Sequence, residues 1–131
     1  TPEQIVERVR KRIDADHGAL GWWLIENRAD GAFQGVAALL PMPDGEDVEL
    51  AYRLARASWG RGIATEAAAA LVERAFTGAG LPRLVAVTFP ENVASQHVLE
   101  KAGFRYDGMT DYKEFRVAHF TITAEMWRAR R

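Results

Sequence analysis

Cysteine is missing from this 131-residue chain. That absence excludes a disulfide framework, a thiol nucleophile and any metal site built on thiolates. An excess of one charge is missing too: 17 basic residues meet 18 acidic ones, for a formal net charge of −1. Such a balance gives no field for nucleic acid or for an anionic membrane surface. Arg128, Arg130 and Arg131 form a local exception that reads as a solvated tail. No apolar run approaches the length of a bilayer span, and the first residues lack a signal-peptide pattern. Histidine is scarce, and His17, His97 and His119 lack metal-ligand spacing, so packing or surface roles are expected and no metal is. What these absences leave is one domain over residues 1–131, cytoplasmic by default, as a monomer or homodimer.

The residues present give an α/β order. Thr1-Pro2-Glu3-Gln4 has a capping-box frame with proline at the first helical position. Ile5, Val6, Val9 and Ile13 continue it as an apolar stripe, so a helix is expected to open the chain. Residues 20–28 and 33–40 read as strands joined at a hairpin by Asp30-Gly31. Within the first, Trp22 and Trp23 alternate, one ring facing the core and the other an interface or cleft. A loop at 41–45 leads to a strand over 48–54, and an alanine-rich helix covers 64–76. Ala79-Gly80-Leu81-Pro82 closes that helix before a buried strand at 84–89. A short helix follows, with Asn92 as N-cap and Gly103 as its stop, then a closing strand pair at 104–112 and 115–123.

The most specific stretch is Trp59-Gly60-Arg61-Gly62-Ile63-Ala64-Thr65-Glu66-Ala67, at a strand-to-helix junction. Glycines there allow close backbone approach and φ values that side chains forbid. The helix start adds unpaired N–H groups and the positive end of a dipole, together a site for a phosphate or pyrophosphate. A Walker A loop would need Gly-Lys-Ser/Thr, which does not occur; a dinucleotide fingerprint would need a third glycine where Thr65 stands. Gly62-Ile63-Ala64 instead resembles the second half of motif A, Gln/Arg-x-x-Gly-x-Gly/Ala, of the GNAT superfamily of N-acetyltransferases. Trp59 falls on the Gln/Arg position, as in the branch resembling ribosomal-protein alanine and serine N-acetyltransferases. Asn92-Val93-Ala94-Ser95 through Gly103-Phe104 resembles motif B of the same superfamily, about thirty residues on and across one strand.

The resemblance implies a GNAT-like mixed sheet, mainly antiparallel and twisted, whose central parallel strands at 48–54 and 84–89 splay apart and are flanked by helices. It also implies that a strand–helix unit usually found ahead of the opening helix is missing. Acetyl-CoA would be the cosubstrate and a primary amine, either a protein N-terminus or a small molecule, the acceptor. The pyrophosphate would rest on amides around Arg61, Gly62, Ile63, Ala64 and Thr65, with Gly60 permitting the turn. A backbone N–H near Tyr52 to Leu54 would polarise the thioester carbonyl. Glu49 is the leading candidate base, reached through a water; as most Glu residues are exposed, a solvated strand carboxylate is the somewhat favoured plain reading. Asn92 is a plain cap or a ligand contact. The tyrosine that many relatives carry seven residues after that asparagine is Leu99 here, so Ser95 becomes the candidate proton donor to the thiolate, or a group that fixes the pantetheine or satisfies a backbone atom. Tyr52, Tyr106 and Tyr112 are substitutes. Direct attack in a ternary complex is the expected reaction. A non-catalytic acyl-CoA-binding module is the alternative, and an unrelated nucleotide-binding α/β protein stands third, opposed by motif B.

Overall fold

Seven strands form one sheet in the order β1-β2-β3-β4-β5-β7-β6 in the computed structural model, which describes residues 8–11, 20–27, 29–42 and 47–130. The strands are β1 (Arg8–Lys11), β2 (Gly21–Glu26), β3 (Phe33–Pro41), β4 (Val48–Leu54), β5 (Arg83–Thr88), β6 (Arg105–Tyr112) and β7 (Phe115–Thr123). Every neighbouring pair is antiparallel except β4 and β5. Parallel neighbours need a crossover, and helix α1 (Ile63–Thr77) supplies it. Helix α2 (Val93–Lys101) links β5 to β6, and α3 (Ala124–Ala129) follows β7.

Burial follows the strand alternation. Trp23 and Ile25 of β2, Ala37 and Leu39 of β3, Leu50 of β4, Leu84 and Ala86 of β5, and Ala118, Phe120 and Ile122 of β7 make one apolar face. Onto it α1 lays Ile63, Ala67, Leu71, Val72 and Ala75, a stripe at helical spacing. The other face of β4 carries Glu49, Ala51 and Arg53, and the register aligns it with Val85 and Thr121. Trp22 lies on that face, partly exposed, while Trp23 is fully buried. The expected mixed, mainly antiparallel sheet with one parallel pair is present, and the element bounds agree within one or two residues for β4, α1, β5 and β7.

Two expectations need correction. Val9 does not lie on an opening helix: residues 8–11 pair with β2 from Arg8↔Glu26 to Lys11↔Trp23. The free edge of β2 offers a row of backbone partners, and that outweighs a helical spacing of four apolar residues. The remainder of that expected helix, Ile5, Val6 and Ile13 with their cap at 1–4, lies outside the described residues, as do His17 and Arg131. Nor is the basic C-terminal stretch a plain solvated tail. Thr123 caps α3 by accepting from the Met126 N–H, Trp127 packs on Phe76 at 5.6 Å between ring centroids, and Arg130 donates to the Lys101 carbonyl at 3.3 Å. No helix among the described residues is long and apolar enough to cross a membrane.

The end of α2 is built from its sequence. Phe104 N–H donates to the Leu99 carbonyl and Gly103 N–H to that of Glu100, at 2.9 and 3.0 Å, a Schellman closure around Gly103 at φ 105°. A Cβ at 103 would meet the Ile122 Cδ1 at 3.0 Å and collide with the Arg130 guanidinium. Gly103→Ala is therefore expected to lower stability by about 1–3 kcal/mol, read as an earlier urea midpoint at an unchanged m-value. An unshifted midpoint would mean the closure does not depend on glycine.

Candidate functional site

Parallel strands β4 and β5 meet in register at one position only, Glu49↔Val85, whereas β3/β4 pairs along seven positions and β5/β7 along six. Behind that point the strands are fastened: Arg83, the first residue of β5, holds Asp47, just ahead of β4, through Nε–Oδ1 at 2.6 Å and Nη2–Oδ2 at 3.1 Å. Beyond it they diverge, and a cleft of about 810 Å³ opens between them. Ala55 N–H donates to the Gln34 carbonyl on the β3 side at 2.9 Å. Backbone groups of an antiparallel strand alternate in direction, so the N–H and C=O of Tyr52 and Leu54 address the open side. The Leu54 carbonyl already accepts from Trp59 Nε1 at 3.2 Å.

The chain leaving β4 is anchored before it reaches the glycines. Ser58, buried at the end of a single 3₁₀ turn (Arg56–Ser58), donates its hydroxyl to Gln34, also buried. Gly60 and Gly62 then take φ 72° and 80°, and open space surrounds both. Gly62 is the N-cap of α1 and has no side chain to occupy the first-turn N–H groups of Ile63, Ala64 and Thr65. Ile63 is fully buried, so it can offer a ligand only its backbone. Arg61 is exposed beside this turn. Gly60 and Ala64 line the cleft mouth together with Trp59.

Across the cleft, α2 brings the motif B residues to the same space. Asn92 Oδ1 accepts from the Ser95 N–H at 3.1 Å, so the capping reading of Asn92 is met, and its residue also lines the cleft. Ser95 does not turn its hydroxyl back on the helix: it shares a 3.0 Å hydrogen bond with the Tyr52 hydroxyl. Burial raises the Tyr52 pKa above its ordinary value, opposed by that bond. Leu99 packs into the core, 2% exposed, where the aromatic ring of many relatives is expected. Tyr106 stands apart, half-exposed on β6 against Phe120.

Glu49 lies behind the cleft wall, not on it. Its carboxylate is half-buried and accepts from the Tyr112 hydroxyl at 3.0 Å; Tyr112 itself lines the cleft. Burial raises the Glu49 pKa, with the Tyr112 bond and the Lys113 charge pulling the other way. A tyrosine hydroxyl thus stands on one oxygen of the carboxylate expected to act as base. Tyr112 in turn is raised by burial and by the Glu49 charge. Among the three histidines, His97 is exposed on α2 and His119 sits 3.3 Å from Asp107, a carboxyl that burial raises but that bonds from Thr121, Arg105 and His119 hold below its ordinary value. No metal-binding cluster occurs among the described residues.

The residues that local spacing did not reveal come from elsewhere in the chain. Lys113 and Phe115 overhang the cleft from the β6–β7 hairpin beside Tyr112, which was expected only as a substitute proton donor; Phe89 stacks edge-on against Phe115 at 5.4 Å, and Arg53 edges the mouth with Trp59 of the glycine motif. Only an excess of aromatic and basic residues near strand ends could have signalled them.

A family model described as an acetyltransferase (GNAT) domain matches residues 1–105. The uncharacterised protein YkkB of Bacillus subtilis is 34% identical over 64% of this chain and 50% of its own length. The FsC-acetyl coenzyme A-N(2)-transacetylase of Aspergillus fumigatus is 30% identical over 76% of this chain and 49% of its own. The chain spans half or less of the length of these curated relatives. Its fold is also that of the ribosomal-protein-S5-alanine acetyltransferase from Vibrio fischeri, with a TM-score of 0.73 at 17% identity, over 86% of this chain and 66% of that one.

The Glu49 environment sets a pH dependence of stability. A carboxyl whose pKa is raised on folding binds more protons in the native state, so its contribution is present below the unfolded pKa and lost as pH rises through the folded one. Glu49→Gln removes this loss and keeps an acceptor for Tyr112. The variant should gain stability relative to wild type between pH 4 and pH 7 in paired denaturation curves. A difference that is flat with pH, or that runs the other way, would show that the carboxyl is not raised.

Proposed function

This chain belongs to the GNAT acetyltransferase family, and from that premise we propose that it moves the acetyl group of acetyl-CoA to a primary amine by direct attack in a ternary complex. The observation that carries the reading is a strand gap with outward-facing amides, open at the end where α1 begins without a side-chain cap. An extended ligand with amide groups suits the gap, and a pyrophosphate suits the helix start. The volume is within the range of small-molecule sites. When bound, acetyl-CoA supplies an acyl carbon open to attack and a thiol that departs.

In this reading the N–H groups of Gly62, Ile63, Ala64 and Thr65 hold the pyrophosphate, Gly60 gives the turn its backbone angle, and Arg61 adds charge at the mouth. The N–H groups of Tyr52 and Leu54 face the carbonyl oxygen and stabilise the negative charge that develops on it as the C–N bond forms. Tyr112 takes a proton from the acceptor ammonium as it passes its own to Glu49, leaving a neutral amine to attack. The raised pKa of Glu49 brings it closer to neutrality, where a general base works best. The Tyr52–Ser95 hydroxyl pair donates a proton to the sulfur as the C–S bond breaks, doing from β4 and α2 what Leu99 lacks the hydroxyl to do. Asn92 fixes Ser95 by capping α2.

Ligand linkage gives the first test. Acetyl-CoA at a hundredfold excess over Kd should stabilise the fold by about 2.7 kcal/mol, and ATP or NAD should not. An unchanged melting temperature at millimolar acetyl-CoA would end the reading. Gly62→Val puts a β-branched residue at φ 80°, so the loop must rearrange; calorimetry should show CoA affinity falling at least about tenfold. Undiminished affinity would make the loop an ordinary helix start.

Kinetics separates an enzyme from a carrier. Glu49→Gln should keep CoA affinity while turnover drops by roughly 10²–10⁴. The deficit should narrow at high pH, where the amine is already neutral. Tight CoA binding with no thiol release on any amine, in wild-type protein, would favour a non-catalytic acyl-CoA-binding module.

A further inference from the structure

Two basic side chains on the acceptor side of the cleft have no role in the scheme above. Arg53 follows Glu49 and Ala51 on the face of β4 turned away from α1, so it does not point at the helix start where a pyrophosphate fits. It is exposed, lines the cleft, and among the described residues no ion pair or hydrogen bond engages its guanidinium. Lys113 faces the same space from the two-residue β6–β7 turn. It holds φ 57°, alone among described non-glycine residues in being positive. Glycine is the residue that suits a hairpin turn with a positive first φ, so a lysine there is held against local preference. Its ammonium lies 5.4 Å from the centroid of the Tyr112 ring, whose hydroxyl is bonded to Glu49. Of the acidic groups near the turn, Asp111 is engaged with Arg116, and Glu114 is exposed and makes no ion pair with Lys113 or Arg53 among the described residues.

We propose that the acceptor is an amine that also bears an anionic group, a carboxylate or phosphate, read by Arg53 and Lys113. The proposal rests on the acetyl-transfer reading. With an acceptor ammonium at Tyr112, this side of the cleft sets three cations, the ammonium, Arg53 and Lys113, against the single carboxylate of Glu49, which already feels the Lys113 charge. A polyamine adds to that excess and is repelled; an anion on the acceptor relieves it. Glu49 and Arg53 are four residues apart, about 13 Å of strand, so the anion stands several bonds from the reacting nitrogen. That separation fits a short acidic peptide or an amino-sugar phosphate.

Equilibrium binding to the CoA-saturated protein tests the charge preference without relying on turnover. The probes are glycyl-glutamate amide, its neutral isostere glycyl-glutamine amide, glucosamine 6-phosphate, and spermidine, titrated by calorimetry. At least one anionic probe should bind ten times or more tighter than the glutamine peptide, with spermidine weakest. Which anionic probe leads identifies carboxylate or phosphate as the source. The margin should shrink at high salt and in Arg53→Gln or Lys113→Gln, with CoA affinity unchanged; Lys113→Glu should move the preference toward spermidine. Equal binding of the neutral isostere and both anionic probes, or tighter binding of spermidine, overturns the proposal while leaving acetyl transfer standing. Failure of CoA itself to bind removes the premise and the proposal with it.

Discussion

Two parallel strands fastened at one end and free at the other make this site. The bidentate Arg83–Asp47 pair and the Glu49↔Val85 register keep β4 and β5 together at their starts, and nothing pairs them past that point. Each is held on its outer side by a full antiparallel partner, β3 for one and β7 for the other, so closing the gap would have to move each half of the sheet as a unit. Unpaired backbone donors and acceptors then face one another across a space too wide for direct hydrogen bonds. In the acetyl-transfer reading an amide-bearing guest meets these groups as an added strand would. The α1 crossover that parallel strands require begins at the open end, so strand divergence and helix start meet in one place.

The fold was largely legible because its signals are local. Alternation from Val48 to Leu54, the Gly60/Gly62 junction, the alanine run of α1 and the Asn92 and Gly103 boundaries of α2 each declare an element within a few residues. Edge pairing of residues 8–11 was not legible, because what makes it a strand is the exposed ladder of β2 and not its own spacing. Helix α3 was hidden for a related reason: its arginines suggest solvent, while Ala124, Met126 and Trp127 pack against the core, Trp127 on Phe76 of α1.

The candidate site divides in the same way. The glycine loop could be read from spacing because one short segment builds it. The hydroxyl pair Tyr52–Ser95 joins residues 43 apart and Tyr112–Glu49 joins residues 63 apart, so neither leaves a pattern in any short window. Leu99 shows the limit of a motif read by position. Leu99 is a core residue where the hydroxyl is expected, and the hydroxyl pair in the cleft is drawn from β4 and α2.

Trp59 gives the cleft a property of a different kind. Its indole N–H occupies the Leu54 carbonyl, one of the backbone groups that the splayed gap leaves exposed. The guanidinium of Arg56 lies 5.3 Å from the ring centroid and steadies it there. An incoming amide that takes the lone pair now used by the indole displaces it, one N–H···O bond exchanged for another. That exchange is nearly isodesmic, so this carbonyl adds little to net affinity. It shields the carbonyl while the gap is empty, much as a substitute holds a seat.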